Sequence, residues 1–220
     1  MNQATLNRRA FAARLAGHAV LLSALVPVLS ACQDRSAVSP GHGADVASGA
    51  ESASAEASQA SGRAGQQAYE LAAGAPGSFS VGALMAAHIA YVFFDPNCPH
   101  CAELWNASKP LAGKLKMVWI PVALLGKTSA PLGATLLSAP DPAAAMAEHE
   151  RSLLARQGGI VANTAASGDV LAKVQANTEL FQRLKADSVP LIVFRNARTG
   201  AHGQHAGSLA TAELAALVGV

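Results

Sequence analysis

The chain has little of what would announce a function by composition. Of its 220 residues only three are cysteine, 14% are charged and 5% are aromatic. A zinc site needs four ligands, usually from two spaced pairs. Here one close cysteine pair, Cys98 and Cys101, has no second pair to complete it. After residue 31 no run is long and apolar enough to span a bilayer. The formal net charge of +2 carries no nucleic-acid signal. Arg8, Arg9 and Arg14 lie in the first 31 residues, which contain no acid, and the remainder is net negative by one charge. Hydrophobic residues reach 51%, but much of that is alanine.

What the chain does have begins at its start. Residues 1–31 combine a basic opening, an apolar stretch from Ala19 to Leu29 and small residues before Cys32, which is the pattern of a secretory signal peptide. Leu29-Ser30-Ala31-Cys32 resembles a bacterial lipobox, which implies cleavage before Cys32 and lipidation of its sulfur. An ordinary signal peptide with a chance cysteine is the alternative. Arg8-Arg9-Ala10-Phe11 is similar to a twin-arginine export signal. Either route leads out of the cytoplasm, to a compartment where disulfides persist. With Cys32 lipidated, the odd cysteine count reduces to one pair.

Residues 32–66 are rich in Ala, Ser and Gly, with Val38 and Val46 as the only larger aliphatics. Such a stretch cannot bury enough apolar surface to offset its ordering entropy. It reads as a disordered tether with a span of roughly 30 Å, or as a weak helix around Glu51–Ala60, since alanine favours helix. The folded domain is expected over residues 67–220, opening with a lead-in helix over Gln67–Ala73. Short apolar runs rich in β-branched and aromatic residues read as buried strands at His88–Phe94, Lys116–Pro121 and Leu191–Arg195. A helix is expected from Cys98 or Pro99 to Ser108, interrupted at Pro110. Residues 126–185 read as mostly helical. They include a helix over Met146–Gln157 with Met146, Leu153 and Leu154 on its apolar face, and a second over Val170–Lys185. A hairpin partner over Ala201–Gly207 and a helix over Leu209–Val218, with Thr211 near its start as a cap, close an α/β order of strand–helix–strand, helical insertion, strand–strand–helix.

The chemistry concentrates in FFDPNCPHCAELW, residues 93–105. A cysteine at the first turn of a helix meets unpartnered N–H groups and the positive end of the helix dipole. Pro99 suits the first helical position, and His100 places a second potential positive charge nearby. Cys98 is therefore the expected nucleophile. Cys101, one turn on and facing inward, is the expected resolving thiol, the division that thiol–disulfide exchange requires. Pro99 and His100 would tune the pair, because a stabilised Cys98 thiolate makes the disulfide a stronger oxidant. The competing readings are a structural disulfide, which closes too small a loop to gain much chain entropy, and a metal site supplemented by His149, His202 or His205. For His100 an exposed bystander is the alternative. No cofactor or resident metal is expected.

The segment Tyr91–Trp105 resembles the active-site segment of the DsbC/DsbG group of periplasmic thiol–disulfide interchange proteins, and Trp119-Ile120-Pro121-Val122 falls where that group has its next strand. The resemblance spans residues 78–220. It implies a thioredoxin-like fold with a helical insertion, preceded here by the signal peptide and tether. It also implies a cis proline at Pro190 facing the CxxC, with Val189 and Pro190 offering backbone to an extended substrate; a trans proline opening a strand is the alternative. The expected activity is thiol–disulfide oxidoreduction in the periplasm, on cysteine-containing envelope proteins and in exchange with a membrane redox partner. Two departures stand out. The tether occupies the place of the group's N-terminal dimerisation domain, which points to a monomer. The CPHC dipeptide is that of the oxidase DsbA. Readings from other classes are a non-catalytic, chaperone-like lipoprotein and a metallochaperone.

Overall fold

The computed structural model describes residues 46–83 and 85–220, with side chains from Glu56 onward. The signal segment, Cys32 and the tether up to residue 45 lie outside the described residues. Helix α1 (Val46–Ala73) leads into strands β1 (Phe79–Gly82) and β2 (His88–Phe94). Helix α2 (Pro99–Ser108), a 3-10 turn at Lys109–Leu111 and strand β3 (Leu115–Pro121) follow. Three helices form the insertion: α3 (Ser129–Ser138), α4 (Pro142–Leu154) and α5 (Gly168–Arg183). Strands β4 (Leu191–Arg195) and β5 (His202–Ala206) and helix α6 (Thr211–Val218) complete the chain.

The sheet order is β1-β3-β2-β4-β5. β2 and β3 run parallel, joined by the α2 crossover, and the other pairs are antiparallel. Alternation along the strands sends side chains to two separate apolar layers. Ala90, Val92, Phe94, Met117, Trp119 and Ile192 join Cys98, Cys101, Leu104 and Trp105 of α2, Met146 of α4 and Leu214 of α6 on one face. Phe93, Val118, Ile120, Leu191 and Val193 meet Ala68 and Ala72 of α1 and Leu180 and Phe181 of α5 on the other. The three central strands, β3, β2 and β4, read as continuous apolar runs because both faces are covered.

Three differences from the sequence reading are instructive. Helix starts at Val46, where coil was expected around a short helical piece. Uninterrupted Ala-rich sequence favours helix, and the far end of α1 is anchored by Ala68 and Ala72. Next, α4 buries Met146, His149 and Glu150, while Leu154 is 41% exposed. The helix turns a polar pair inward at the cost of an apolar residue. Finally, Thr211 does not cap α6: Ala210 holds the N-cap position, its N–H donating to Glu213 Oε2 at 2.9 Å. The Thr211 hydroxyl instead donates to the Ala107 carbonyl at 2.8 Å, tying α6 to α2.

Candidate active site

Cys98 occupies the N-cap of α2 with extended backbone (φ −91°, ψ 114°), and Pro99 opens the helix. The chain cannot continue β2 through Pro96, so Asp95-Pro96-Asn97 turns it, with the Cys98 N–H donating to the Asp95 carbonyl at 2.9 Å. Both cysteines are free thiols and buried, Cys98 at 3% and Cys101 at 0% exposure. The Cys98 thiol is pulled down to about 6. The largest cause is a hydrogen bond from the Cys101 side chain. Burial opposes it, and the backbone N–H groups of Cys101 and His100 lower it further. This is the helix N-terminus acting on a thiolate. Cys101 is pushed far up, first by burial and then by its bond to Cys98. The two thiols are thus driven apart, one toward a thiolate near neutral pH and the other held as a proton carrier.

His100 plays a smaller part than its sequence position suggests. Its exposed ring pairs with Glu103, Nδ1 to Oε2 at 2.9 Å, and Ser208 also donates to that oxygen at 3.1 Å. The Glu103 carboxylate raises the imidazole's affinity for its proton. The histidine charge is the last and smallest of the influences that lower Cys98.

Opposite the pair, the Val189–Pro190 peptide bond is cis. Cys98 Sγ lies 3.5 Å from the Val189 carbonyl oxygen, to which its thiol form donates. Pro190 is buried just ahead of β4, and its carbonyl accepts from the Gly207 N–H at 2.8 Å. The structure therefore brings Cys98, Cys101, Pro99, His100, Val189 and Pro190 together at one end of the sheet.

Three groups take roles that the sequence pattern did not assign to them, His149 having figured there only as a candidate metal ligand. Asp95 directly follows the last residue of β2. It is fully buried and its carboxylate takes four donors: the N–H groups of Asn97 (2.8 Å), Leu124 (2.7 Å) and Leu125 (2.9 Å) and the Ser129 hydroxyl (2.9 Å). It fastens the loop before Cys98 to the segment that follows β3, and leaves Leu124 and Leu125 exposed at 38% and 56%. An aspartate directly after a buried strand and before Pro96 was the available signal. His149 is the second. Its Nδ1 accepts from the Ile160 N–H at 3.2 Å and its Nε2–H donates to the Pro96 carbonyl at 2.6 Å. Both ring nitrogens are used, which removes His149 from any metal set, and burial keeps the ring neutral. Gly159 closes over it with φ +77°, and a Cβ there would come within 2.5 Å of the imidazole Cε1. Glu150, beside it, is the third, 1% exposed. His202 and His205 lie on β5, His202 edge-on to Tyr69.

Comparison with known proteins fits this geometry. The chain is 32% identical over 136 residues to the thiol:disulfide interchange protein DsbG of Pseudomonas aeruginosa, covering 61% of this chain and 52% of the relative. It is 29% identical over 108 residues to DsbG of Escherichia coli, covering 48% and 43%. The chain thus spans about half the length of the curated relatives it matches. Among solved structures, the catalytic domain of Proteus mirabilis ScsC superposes with a TM-score of 0.55 at 20% identity, over 71% of this chain and 95% of that one. A periplasmic thioredoxin-like protein from Salmonella enterica serovar Typhimurium gives 0.54 at 15% identity, over 69% and 94%. No family model matches. The fold is thioredoxin-like with a helical insertion, and the chain is similar to DsbC/DsbG-type thiol:disulfide interchange proteins, as the resemblance of its Tyr91–Trp105 segment implied.

Proposed function

We propose that the protein is a thiol–disulfide oxidoreductase of the bacterial periplasm, acting on cysteine-containing proteins through Cys98 and Cys101. The observation that carries this reading is the split between the two thiols, with Cys98 lowered to about 6 and Cys101 raised and buried. A structural disulfide has no use for a nucleophilic partner. In the oxidising direction a substrate thiolate attacks Cys98 Sγ of the disulfide. The S–S bond breaks, the electron pair leaves on Cys101 Sγ, and a proton joins it. A second substrate thiolate then attacks the substrate sulfur of the mixed disulfide and expels Cys98 as a stabilised thiolate. The reducing direction runs these steps in reverse order, with Cys98 attacking first. The exposed Leu124–Leu125 pair beside the site and the backbone of Val189 and Pro190 suit an extended polypeptide as substrate.

The test is turnover of a peptide dithiol or disulfide by the wild-type protein and Cys98→Ser. Loss of turnover in the variant supports the reading. Binding of unfolded protein without turnover, unchanged in the variant, would favour a chaperone-like role instead.

The lipobox-like sequence before Cys32 supports a lipid anchor that holds the enzyme at a membrane surface, near a membrane redox partner. Among the described residues no helix is long and apolar enough to cross a membrane. Labelling with radioactive palmitate in a bacterial host should mark the wild-type protein and not Cys32→Ser. Equal labelling, or none in either, counts against the anchor.

A further inference from the structure

Resting on the exchange reading above, we propose that Glu150 is the proton carrier for Cys101: it takes the proton when Cys101 attacks and returns it when Cys101 leaves. Cys101 is 0% exposed, so water does not reach its sulfur to exchange the proton. Two buried carboxyl groups belong to the elements around the pair. Asp95 is saturated by four donors and has no capacity left. Glu150 is the reverse case, since neither of its oxygens has a hydrogen-bond partner among the described residues. A buried carboxyl group without partners costs stability, and functional sites are where such costs are retained.

Its position fits the role. α4 packs on α2, and Met146, one helical turn before Glu150 on the same face, lies in the apolar cluster that holds Cys98, Cys101, Leu104 and Trp105. His149 fixes α4 to the carbonyl of Pro96, two residues before Cys98. The ionisable groups around Glu150 are few. From α2 these are Cys98 and Cys101, because His100 and Glu103 pair with each other on its exposed side. α3 and β1, which also pack on α4, carry no ionisable side chain. On α4 itself, Glu148 and Arg151 pair at the surface, and His149 is neutral and fully bonded. Burial first, and the Cys98 thiolate second, raise Glu150 to about 8, close to the working range for proton transfer at neutral pH. When Cys98 enters a mixed disulfide its negative charge disappears, so Glu150 ionises more readily at the moment when Cys101 must lose its proton.

The resolving step balances as follows. The Glu150 carboxylate takes the Cys101 proton, and the Cys101 thiolate attacks Cys98 Sγ of the mixed disulfide. The Cys98–Cys101 bond forms and the substrate sulfur departs with the electron pair. The carboxylic acid later gives its proton to solvent.

The experiment reacts reduced full-length protein with oxidised glutathione, quenches with acid and separates the species by mass. This resolves attack by Cys98 from ring closure by Cys101. Glu150→Gln and Glu150→Leu should leave the first step within about twofold and slow ring closure at pH 7 by about tenfold or more. The wild-type closure rate should level off by about pH 8, whereas in the variants it keeps rising with pH. Glu150→Leu should also have a higher denaturation midpoint, because it removes an unpartnered buried polar group. A merely structural glutamate would not give that combination. Unchanged closure in both variants, an equal slowing of both steps, or failure of both variants to fold would overturn the proposal. If the wild-type protein forms no mixed disulfide at Cys98, the exchange reading itself falls, and the proposal with it.

Discussion

At the scale of single residues, Cys98 owes its reactivity mainly to Cys101 and the helix end rather than to the histidine between them. Replacing Cys101 by Ala should therefore raise the Cys98 pKa from about 6 by more than His100→Ala does, as read by thiolate absorbance or alkylation rate against pH. A larger effect of His100→Ala would contradict this order. Glu150 gives a second signature. Its folded-state affinity for a proton exceeds that of an ordinary carboxyl group. Above the ordinary carboxyl range the folded protein alone holds that proton, so stability falls as pH rises toward about 8, by up to about 1.4 kcal/mol per pH unit. The reduced protein has an opposing trend: Cys98, lowered in the fold, adds stability as pH rises above about 6. Denaturation of the oxidised protein against pH isolates the carboxyl, and the downward slope should vanish in Glu150→Gln. Much of the site was legible at this scale, because Cys98, Cys101 and Pro190 carry their chemistry in spacing and type. Asp95, His149 and Glu150 were not, because their roles depend on burial and, for Asp95 and His149, on partners up to 53 residues away, which no local pattern states.

At the scale of elements, apolar runs located β2, β3 and β4 and misjudged two helices. β2 and β4 match their expected limits, since apolar runs bounded by Pro and turn residues leave little freedom. α4 defeated the apolar-face argument because its inward face is chosen by the active site. α1 defeated the composition argument because helix needs only propensity and an anchor at one end. That anchor is close. A Cβ at Gly65 would lie 2.5 Å from the His202 carbonyl oxygen of β5, whereas one at Gly62 would meet nothing within 4 Å. Ala in place of Gly within a helix otherwise gains about 1 kcal/mol. Gly62→Ala should accordingly raise the denaturation midpoint and Gly65→Ala should lower it. A gain at both positions would show that α1 does not rest on β5 as described. The insertion also holds the site together. α5 reaches the end of β3 through Asn177, whose Nδ2 donates to the Gly77 and Pro121 carbonyls at 2.7 and 3.0 Å. Thr178 accepts from the Ala123 N–H at 3.0 Å, next to the leucines that Asp95 fixes.

At the scale of the whole molecule, the redox pair sits at the end of the central strand, β2, on one face of the sheet. The central claim is that Cys98 and Cys101 form a couple that turns over with a stabilised thiolate. Couples whose nucleophile pKa runs from about 7 to about 3.5 span about −270 to −120 mV, and a Cys98 near 6 belongs inside that interval. The most direct measurement is the reduction potential of the pair in glutathione buffers, followed by the fluorescence of Trp105 and Trp119, which stack edge to face at 5.1 Å in the same cluster as the cysteines, and checked by thiol trapping. The account predicts one reversible two-electron transition between those limits, lost in Cys98→Ser. A pair that stays oxidised or reduced across the whole buffer range, with no reversible transition, would contradict it.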